Sequence, residues 1–147
     1  KTGLPAGKKI RIVATSHSTN ARKGFDTLSW VDAHLDWSRY ELVYMGGTPA
    51  DFPIQKMTVL KEVDSQAVAD FLRTGDIYLA PSREEPASNA VMEALACGLP
   101  VLYQEGSSHS DLVGKGGRGF WTAGPDLLSA LDQIVQSYDE VKASIYV

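Results

Sequence analysis

Residues 9–15 read KIRIVAT, an apolar run with β-branched side chains that ends in the polar segment SHSTNARKG, residues 16–24. A run of this length and composition predicts a buried β-strand. Residues 25–35 then repeat apolar side chains at helical spacing, beginning with Phe25 and Leu28, which predicts an α-helix. The order strand, polar loop, helix is the first step of a β–α–β unit.

The same alternation continues to the end of the chain. Strands are predicted over residues 40–45, 57–60, 76–80, 101–103 and 119–121, and helices over residues 65–74, 88–96, 111–113 and 127–138. Strands that alternate with helices predict an α/β fold, because parallel strands need crossover connections and are covered on both faces. We therefore expect a Rossmann-like, doubly wound parallel sheet of about six strands, with helices on both faces, in a single domain spanning residues 1–147.

The composition is that of a globular domain, with 44% hydrophobic and 22% charged residues and a net charge of -4. A mildly acidic chain without a basic stripe argues against nucleic-acid binding. No apolar run is long enough to span a bilayer, and residues 1–9 lack the apolar stretch of a secretory signal. Cys97 is the only cysteine, which excludes an internal disulfide and favours a reducing compartment, so we expect a cytoplasmic protein.

In doubly wound folds ligands bind outside the carboxyl ends of the strands, so the loops that follow the strands are the places to look for a site. The loop of residues 16–24 joins the first strand to the first helix, whose N-terminal N–H groups can face an anion. Arg22 and Lys23 lie at that helix end, where cations are unfavourable unless an anion sits between them. This placement predicts a phosphate-binding loop; the alternative is a solvated basic turn.

A second candidate loop, residues 81–89, reads PSREEPASN and runs into the next predicted helix. Ser88 and Asn89 are N-cap residue types, and the first-turn N–H groups, including that of Ala90, form a further anion site. Glu93 lies one turn beyond Asn89 and leans back toward the helix start, where its carboxylate could accept hydrogen bonds from two neighbouring hydroxyl groups, as on a ribose. The alternative is that Glu93 is a solvated helix residue.

A second glutamate lies eight positions before Glu93. Glu85 occupies the loop tip, where its carboxylate could bind sugar hydroxyl groups, or it forms a solvated acidic turn with Glu84. The whole stretch PSREEPASNAVMEALACGLPV resembles the E-x7-E region of the retaining, GT-B-fold glycosyltransferases of the "group 1" kind. The E-x-F-G that this family carries at its first glutamate reads EPAS here, which keeps a small residue at the helix start.

Two further pairs of residues match motifs of the same glycosyltransferase family. Lys23-Gly24 resembles the K-G that the family has after its first strand, and Gly46-Gly47 resembles its glycine-rich turn after the second. The G-R that often precedes the K-G is replaced by TSHS in this sequence. The similarity extends over roughly residues 9–122, and the order and spacing of these short motifs make it specific.

The resemblance implies a role for each matched residue. Lys23 and Glu85 would be the catalytic residues, Lys23 by neutralising the donor diphosphate and Glu85 by holding the transferred sugar. Glu93 would bind the ribose, and residues 60–63 would border the base. The donor-binding set implied in this way comprises Arg22, Lys23, Gly46, Glu85, Ser88, Asn89, Ala90 and Glu93.

The resemblance also implies that the chain is the C-terminal half of a two-domain enzyme and that its partner is a missing N-terminal acceptor domain. The enzyme would transfer a glycosyl group from a nucleoside-diphosphate sugar with retention of configuration, and the isolated chain would not turn over. No metal or other cofactor is expected, because the sequence has neither a D-x-D pair nor metal-ligand spacing. The alternatives are a non-catalytic GT-B-like nucleotide-binding or interaction module and a nicotinamide-dependent oxidoreductase, which the missing glycine-rich fingerprint disfavours.

Other motifs and single residues carry weaker signals. Residues 114–119, GKGGRG, match a dinucleotide fingerprint by letter but lack a strand before them and a helix after them, which favours a flexible turn. His17 is a candidate phosphate contact and His109 a candidate sugar contact, whereas His34 is expected on a helix surface. Cys97 precedes a helix-ending glycine and is expected to pack rather than react.

Overall fold

The computed structural model describes residues 4, 7–16, 24–61, 64–82, 88–106 and 109–146. Its elements in chain order are β1 (Ile10–Ser16), α1 (Phe25–His34), β2 (Tyr40–Gly46), β3 (Thr58–Leu60), α2 (Ser65–Leu72), β4 (Ile77–Ala80), α3 (Ser88–Ala96), β5 (Val101–Gln104), α4 (His109–Val113), β6 (Gly117–Phe120), α5 (Pro125–Gln136), α6 (Tyr138–Ala143) and a final 3-10 turn (Ser144–Tyr146). Every strand predicted from the sequence is present, and the bounds differ by at most two residues.

The strands form one sheet of six strands in the order β3-β2-β1-β4-β5-β6, and every neighbouring pair is parallel. Chain order therefore runs outward in one direction from β1 to β3 and in the other from β4 to β6, which is the doubly wound arrangement. The longest pairing joins β1 and β2 from Ile10 with Tyr40 to Ser16 with Gly46, so these two strands end level with each other. The prediction of a Rossmann-like parallel sheet with helices on both faces is confirmed.

Side chains alternate across the sheet and divide the core into two clusters. On one face Ile12 packs in a cluster with Leu28 of α1 and Leu131 of α5. On the other face Val13 packs with Leu72 of α2 and Ala94 of α3 in a second cluster, the α2–α3 cluster. Because successive residues of a strand point to opposite faces, the continuous apolar run of β1 supplies both clusters at once. The apolar run therefore marks β1 as a central strand.

The C-terminal helix differs from the prediction. One helix was expected over residues 127–138, but α5 ends at Gln136 and α6 begins at Tyr138. The break lies at Ser137, whose φ of -118° and ψ of 33° are not helical. Tyr138 turns into the protein, where its hydroxyl donates a buried hydrogen bond of 2.7 Å to the carbonyl oxygen of Asp76. A tertiary contact with the residue before β4 thus overrides the local helical periodicity.

The glycine-rich segment is only partly a turn. Gly114 lies in the turn after α4, as expected, but Gly117–Phe120 is the edge strand β6, so the prediction of a flexible turn is wrong for the second half of the segment. A Cβ atom at Gly117 would overlap the carbonyl oxygen of Val101 on the neighbouring strand. Glycine is therefore needed for close pairing of β6 with β5. Trp121, predicted within the last strand, lies just beyond its end.

A buried carboxylate fixes the connection between β2 and β3. Asp32 on α1 is only 2% exposed. Its oxygens accept hydrogen bonds from the backbone N–H groups of Gln55 at 2.6 Å, Lys56 at 2.8 Å and Met57 at 2.8 Å. A carboxylate is a strong acceptor for such donors, so Asp32 anchors the segment that leads into β3.

Three smaller predictions can be compared directly with the structure. His34 is exposed on α1 and stacks on Trp30, with ring centroids 4.4 Å apart, which confirms its surface position. Cys97 packs at the edge of the α2–α3 cluster, in agreement with a packing role. Within the described ranges, no helix combines the length and the apolar character that crossing a membrane requires.

Candidate functional site

The sheet order places a crevice between β1 and β4. These two strands are neighbours, with Ile12 paired to Ile77 and Val13 to Tyr78, and their connections leave in opposite directions along the sheet. A reversal of this kind opens a space outside the carboxyl ends of the two strands, where ligands bind in doubly wound folds. The two candidate loops of the sequence analysis, after β1 and after β4, are the loops that border this crevice.

The described ends of these two loops touch each other. Gly24 immediately precedes α1 and has a left-handed φ of +82°. A Cβ atom on Gly24 would lie 2.5 Å from the carbonyl oxygen of Pro81, which is the first residue after β4. The start of α1 therefore packs directly on the backbone that leaves β4. This contact brings the described ends of the two predicted loops together.

The end of β2 forms the side of the crevice next to β1. Gly46 has a φ of +145°, and a Cβ atom there would overlap the carbonyl oxygen of Ser16 at the end of β1. The hydroxyl of Tyr44 donates a 2.6 Å hydrogen bond to the carbonyl oxygen of Gly47, which fixes the turn that follows. Gly46 thus allows two parallel strands to end in close contact, in agreement with the glycine-rich turn expected after β2.

A buried tyrosine hydroxyl lies beneath the crevice. Tyr78 on β4 is 2% exposed, and its hydroxyl bonds to Thr15 at 3.0 Å from the side-chain oxygen and 3.3 Å from the carbonyl oxygen. The pKa of Tyr78 is raised to about 12, chiefly by burial, with the hydrogen bonds to Thr15 acting in the opposite direction and the negative charge of Glu93 adding to the rise. The hydroxyl of Tyr78 therefore links β4 to the carboxyl end of β1.

Glu93 belongs to the inward side of α3. It is half-buried, whereas the preceding residue, Met92, is 54% exposed and the following one, Ala94, is fully buried at 0%. Ala90, one turn earlier on α3, packs partly buried against the α2–α3 cluster. Glu93 is therefore partly buried, whereas the alternative interpretation expects a solvated helix residue. Its role as a ribose contact stays a prediction.

His109 differs from its expected role. It was a candidate sugar contact, but the structure buries it to 1% exposure at the start of α4. Its Nε2 atom lies 2.9 Å from the carbonyl oxygen of Ser82, which accepts the hydrogen bond. His109 therefore ties the β5–α4 connection to the loop after β4 and acts on the shape of the site from inside the protein.

The structure describes part of the predicted site. Gly46 ends β2, and Ala90 and Glu93 lie on α3; their contacts with a donor stay predictions. Ser88 and Asn89 form the first turn of α3, and their side chains lie outside the described residues. The remaining predicted contacts, namely His17, Arg22, Lys23, residues 62–63 and Glu85, also lie outside the described residues.

The hydrogen-bonded pair of Tyr78 and Thr15 was not foreseen. Both residues lie inside apolar strand patterns, and only the polar hydroxyl groups at two strand ends could have signalled them. As for metal binding, the portion of the chain that is described contains no group of three or more His, Cys, Asp or Glu residues able to hold a metal ion.

The fold and the crevice define a Rossmann-like α/β domain whose site opens at the switch point between β1 and β4. The sequence matches the family of "Glycosyl transferases group 1" over residues 9–140. The chain therefore belongs to this glycosyltransferase family, as the E-x7-E resemblance predicted.

Two curated relatives carry glycosyltransferase names. D-inositol 3-phosphate glycosyltransferase 2 of Catenulispora acidiphila is 36% identical over 67 residues, which cover 46% of this chain and 16% of that protein. The glycosyltransferase TuaC of Bacillus subtilis, named for teichuronic acid biosynthesis, is 28% identical over 117 residues, or 78% of this chain and 29% of that protein. The chain thus spans less than a third of the length of either relative.

Solved structures confirm the fold. The catalytic domain of cholesterol-α-glucosyltransferase from Helicobacter pylori superimposes with a TM-score of 0.77 at 16% identity and covers 94% of this chain and 95% of that one. Sucrose-phosphate synthase from Thermosynechococcus elongatus superimposes with a TM-score of 0.72 at 21% identity, and the match covers 97% of this chain and 39% of that one. The pneumococcal O-GlcNAc transferase GtfA, in complex with UDP and GlcNAc, superimposes with a TM-score of 0.67 at 18% identity, and the match covers 99% of this chain and 33% of that one. At these identities the similarity concerns the fold, which is of the GT-B type.

Proposed function

We propose that this chain binds a nucleoside-diphosphate sugar and forms the donor-binding half of a retaining glycosyltransferase. The observation that carries the proposal is the position of Glu93, which is half-buried on α3, the helix that follows β4 and the crevice at its carboxyl end. A carboxylate beside a switch-point crevice is suited to hold the ribose of a nucleotide, because it can accept hydrogen bonds from two adjacent hydroxyl groups. Family membership supplies the class of reaction, which is glycosyl transfer.

The diphosphate would lie between the starts of two helices. The first-turn N–H groups of α3, those of Ser88, Asn89 and Ala90, point toward the crevice end of the helix and favour an anion there. Arg22 and Lys23 precede α1 in the sequence and would supply positive charge on the other side. With these donors no metal or other cofactor is needed to neutralise the diphosphate. The contact between Gly24 and Pro81 supports this arrangement, since it brings the two loops together.

The transferred sugar would be held by Glu85 next to the diphosphate. As the bond between the anomeric carbon and the diphosphate breaks, its electron pair leaves with the diphosphate, and Lys23 and the helix N–H groups stabilise the growing negative charge. The oxygen of the acceptor hydroxyl would then bond to the anomeric carbon on the same face that the diphosphate left, and the hydroxyl proton would pass to an oxygen of the departing diphosphate. This step needs an acceptor-binding domain, so the 147-residue chain alone should bind donor weakly and show no transfer.

A nucleotide titration tests the donor site. We would add UDP, GDP, ADP, dTDP or NAD to the 15N-labelled chain and follow its amide signals by NMR. One nucleoside diphosphate is expected to shift the signals of Ala90, Glu93 and Gly46. The substitution Glu93→Ala should weaken that binding by about tenfold to a hundredfold, because hydrogen bonds from the ribose to a charged acceptor are lost.

Glu140→Ala is the matched control for Glu93→Ala. Glu140 is also a helical glutamate, but it is exposed on α6, the helix whose Tyr138 contacts Asp76 just before the amino end of β4, and its removal should leave the affinity unchanged. Equal affinity of Glu93→Ala and the unsubstituted chain would exclude the ribose contact. No response to any diphosphate would favour a non-catalytic module, and binding of NAD alone would favour an oxidoreductase.

Lys23 should have a large effect on turnover in the full-length protein that contains this chain. We expect Lys23→Ala to lower kcat about tenfold to a hundredfold, since a hydrogen bond to the charged leaving group is lost in the transition state. The measurement is transfer of a labelled sugar at saturating donor. Lys115→Ala removes an exposed lysine from the turn after α4 and should change nothing. A Lys23→Ala rate within about twofold of wild type would contradict the catalytic role.

A further inference from the structure

A buried histidine that the proposed function does not use touches the backbone at the β1–β4 crevice. His109 is the first residue of α4 and is 1% exposed. Its Nε2 atom lies 2.9 Å from the carbonyl oxygen of Ser82. Because a carbonyl oxygen can only accept a hydrogen bond, Nε2 carries the proton and donates it. Burying a polar group is costly unless it is hydrogen-bonded, so this bond stabilises the buried position of the ring.

The carbonyl oxygen that accepts this bond lies beyond the end of β4. The strand ends at Ala80, so Ser82 is the second residue of the connection to α3 and lies outside the pairing of β4 with β5. Ser82 is nevertheless only 5% exposed. A buried main-chain carbonyl needs a donor, and the imidazole of His109 supplies one from 27 positions away in the sequence. The backbone is thereby fixed as it leaves β4.

The residue before Ser82 is held from another direction. A Cβ atom on Gly24 would lie 2.5 Å from the carbonyl oxygen of Pro81, so the start of α1 packs against Pro81. Two consecutive residues after β4 therefore contact the starts of two different helices, α1 and α4. A movement of Ser82 would also move Pro81, because a planar peptide unit joins them. The bond from His109 thus acts on the contact between the two predicted loops.

The last residue of α4 connects this helix to α3. Val113 is 5% exposed and belongs to the α2–α3 cluster, together with Val91 and Ala94 of α3, and the two helices are in contact. α4 therefore contacts the backbone that leaves β4 through His109 and the helix that follows it through the cluster. A displacement of α4 or the loss of its bond to Ser82 would change how the end of β4 lies relative to α3.

We propose that His109 is a positioning residue of the donor site. Its hydrogen bond to Ser82 keeps the backbone after β4 against the start of α1 and in a fixed position relative to α3. N–H groups at a helix start favour an anion only over the first turn, so the alignment of the two helix starts decides how strongly they bind it. The role rests on the proposed function, because it requires a diphosphate between these helix starts. His109 itself would not touch the ligand.

Nucleotide binding by variants of the 147-residue chain tests this role. The probes are UDP, GDP, ADP and dTDP, and the amide signals of Ala90 and Gly46 report binding by NMR. His109→Leu fills a similar space without a donor and should weaken binding of the diphosphate by about tenfold. His109→Gln can place a side-chain N–H near the position of Nε2 and should bind within about threefold of the unsubstituted chain.

Val141→Ala is the control for a general loss of stability. Val141 is 2% exposed on α6, so its truncation should lower the urea concentration of unfolding while leaving the affinity within about twofold of the unsubstituted chain. Equal affinity of His109→Leu and the unsubstituted chain would overturn the positioning role. Equal losses of affinity in His109→Leu and Val141→Ala, or a His109→Gln variant as weak as His109→Leu, would overturn it as well.

A measurement on the unsubstituted chain tests the role even if the His109 variants do not fold. Long-range 1H–15N NMR identifies the ring nitrogen that carries the proton, and the Nε2–H form is expected. Saturating diphosphate should shift the Nε2 signal, because its charge would polarise the peptide of Ser82. His34, exposed on α1 and stacked on Trp30, should not respond. An Nε2 atom without a proton, or an Nε2 signal unchanged at saturation, would overturn the proposal.

Failure of this role and failure of the proposed function give different results. If a nucleoside diphosphate binds His109→Leu and the unsubstituted chain alike, only the positioning role is wrong and the donor site stands. If none of the four diphosphates shifts Ala90, Glu93 or Gly46 in the unsubstituted chain, the donor site is wrong. The positioning role, which requires that site, is then wrong with it.

Discussion

Replacing Asp32 with alanine should lower the free energy of unfolding by about 3 kcal/mol, which is a large part of the stability of a small domain. The carboxylate is buried and accepts hydrogen bonds from the N–H groups of Gln55, Lys56 and Met57. Alanine removes the acceptor and leaves the N–H group of buried Met57 without one. Urea unfolding followed by circular dichroism measures the loss.

Two further variants make the test specific. Asp32→Asn keeps the size of the side chain and one acceptor oxygen, so we expect a smaller loss than for alanine. Asp132→Ala removes an exposed aspartate from helix α5 and should change stability by less than about 0.5 kcal/mol. If Asp32→Ala unfolds at the same urea concentration as Asp132→Ala, the three hydrogen bonds do not anchor the segment before β3.

The alternation of strands and helices was predictable because each element carries its own pattern. The apolar run of β1 and the helical spacing that starts at Phe25 are local features, and local features fix the type of element. A parallel sheet covered by helices follows from the alternation itself. The order of the strands does not follow locally, because it depends on which strands pair over long distances in the sequence.

The features that the sequence did not predict likewise depend on contacts between residues far apart in the sequence. Tyr138 continues the helical spacing of α5, yet its hydroxyl bonds to the carbonyl oxygen of Asp76, 62 positions away, and the chain turns at Ser137. Asp32 lies four positions after Leu28 on the buried side of α1, where a charged residue is unusual. That position was the available sign of a buried anchor, but its partners at residues 55–57 could be identified only in the folded chain.

Part of the candidate site was predicted from one continuous stretch of sequence. Ala90 and Glu93 of that stretch both lie on α3, and their contacts with a ligand stay predictions. Tyr78 could not be predicted, since its hydroxyl gains meaning only from Thr15 on the neighbouring strand. Trp121 was expected inside the last strand, and its exposed position beside β5 is visible only after the sheet has formed.

Replacing Gly24 with alanine should both destabilise the fold and weaken nucleotide binding. Gly24 has a φ of +82°, and a Cβ atom would lie 2.5 Å from the carbonyl oxygen of Pro81. Relief of this overlap requires that the start of α1 and the loop after β4 move apart. We expect a loss of about 2–4 kcal/mol of unfolding free energy, from left-handed strain together with the steric overlap.

Gly114→Ala is the matched control, because it separates the backbone strain of a side chain at positive φ from the steric overlap with Pro81. Gly114 also has a positive φ, of +53°, but no atom lies within 4 Å of a Cβ atom built on it. Its substitution should therefore cost only the strain, about 1 kcal/mol. The difference between the two variants measures the contact between Gly24 and Pro81. Equal losses would show that the start of α1 and the loop after β4 are free to separate.

The Gly24 variant also connects the fold to the site. Under conditions where each variant remains folded, Asp32→Ala should bind the nucleoside diphosphate as the unsubstituted chain does, because its contacts lie before β3. Gly24→Ala should bind it about tenfold more weakly or worse, because the diphosphate would bridge the two loops that Gly24 holds together. A similar affinity in both variants would mean that the nucleotide does not use the two loops jointly, and the diphosphate would then have to lie on one helix N-terminus alone.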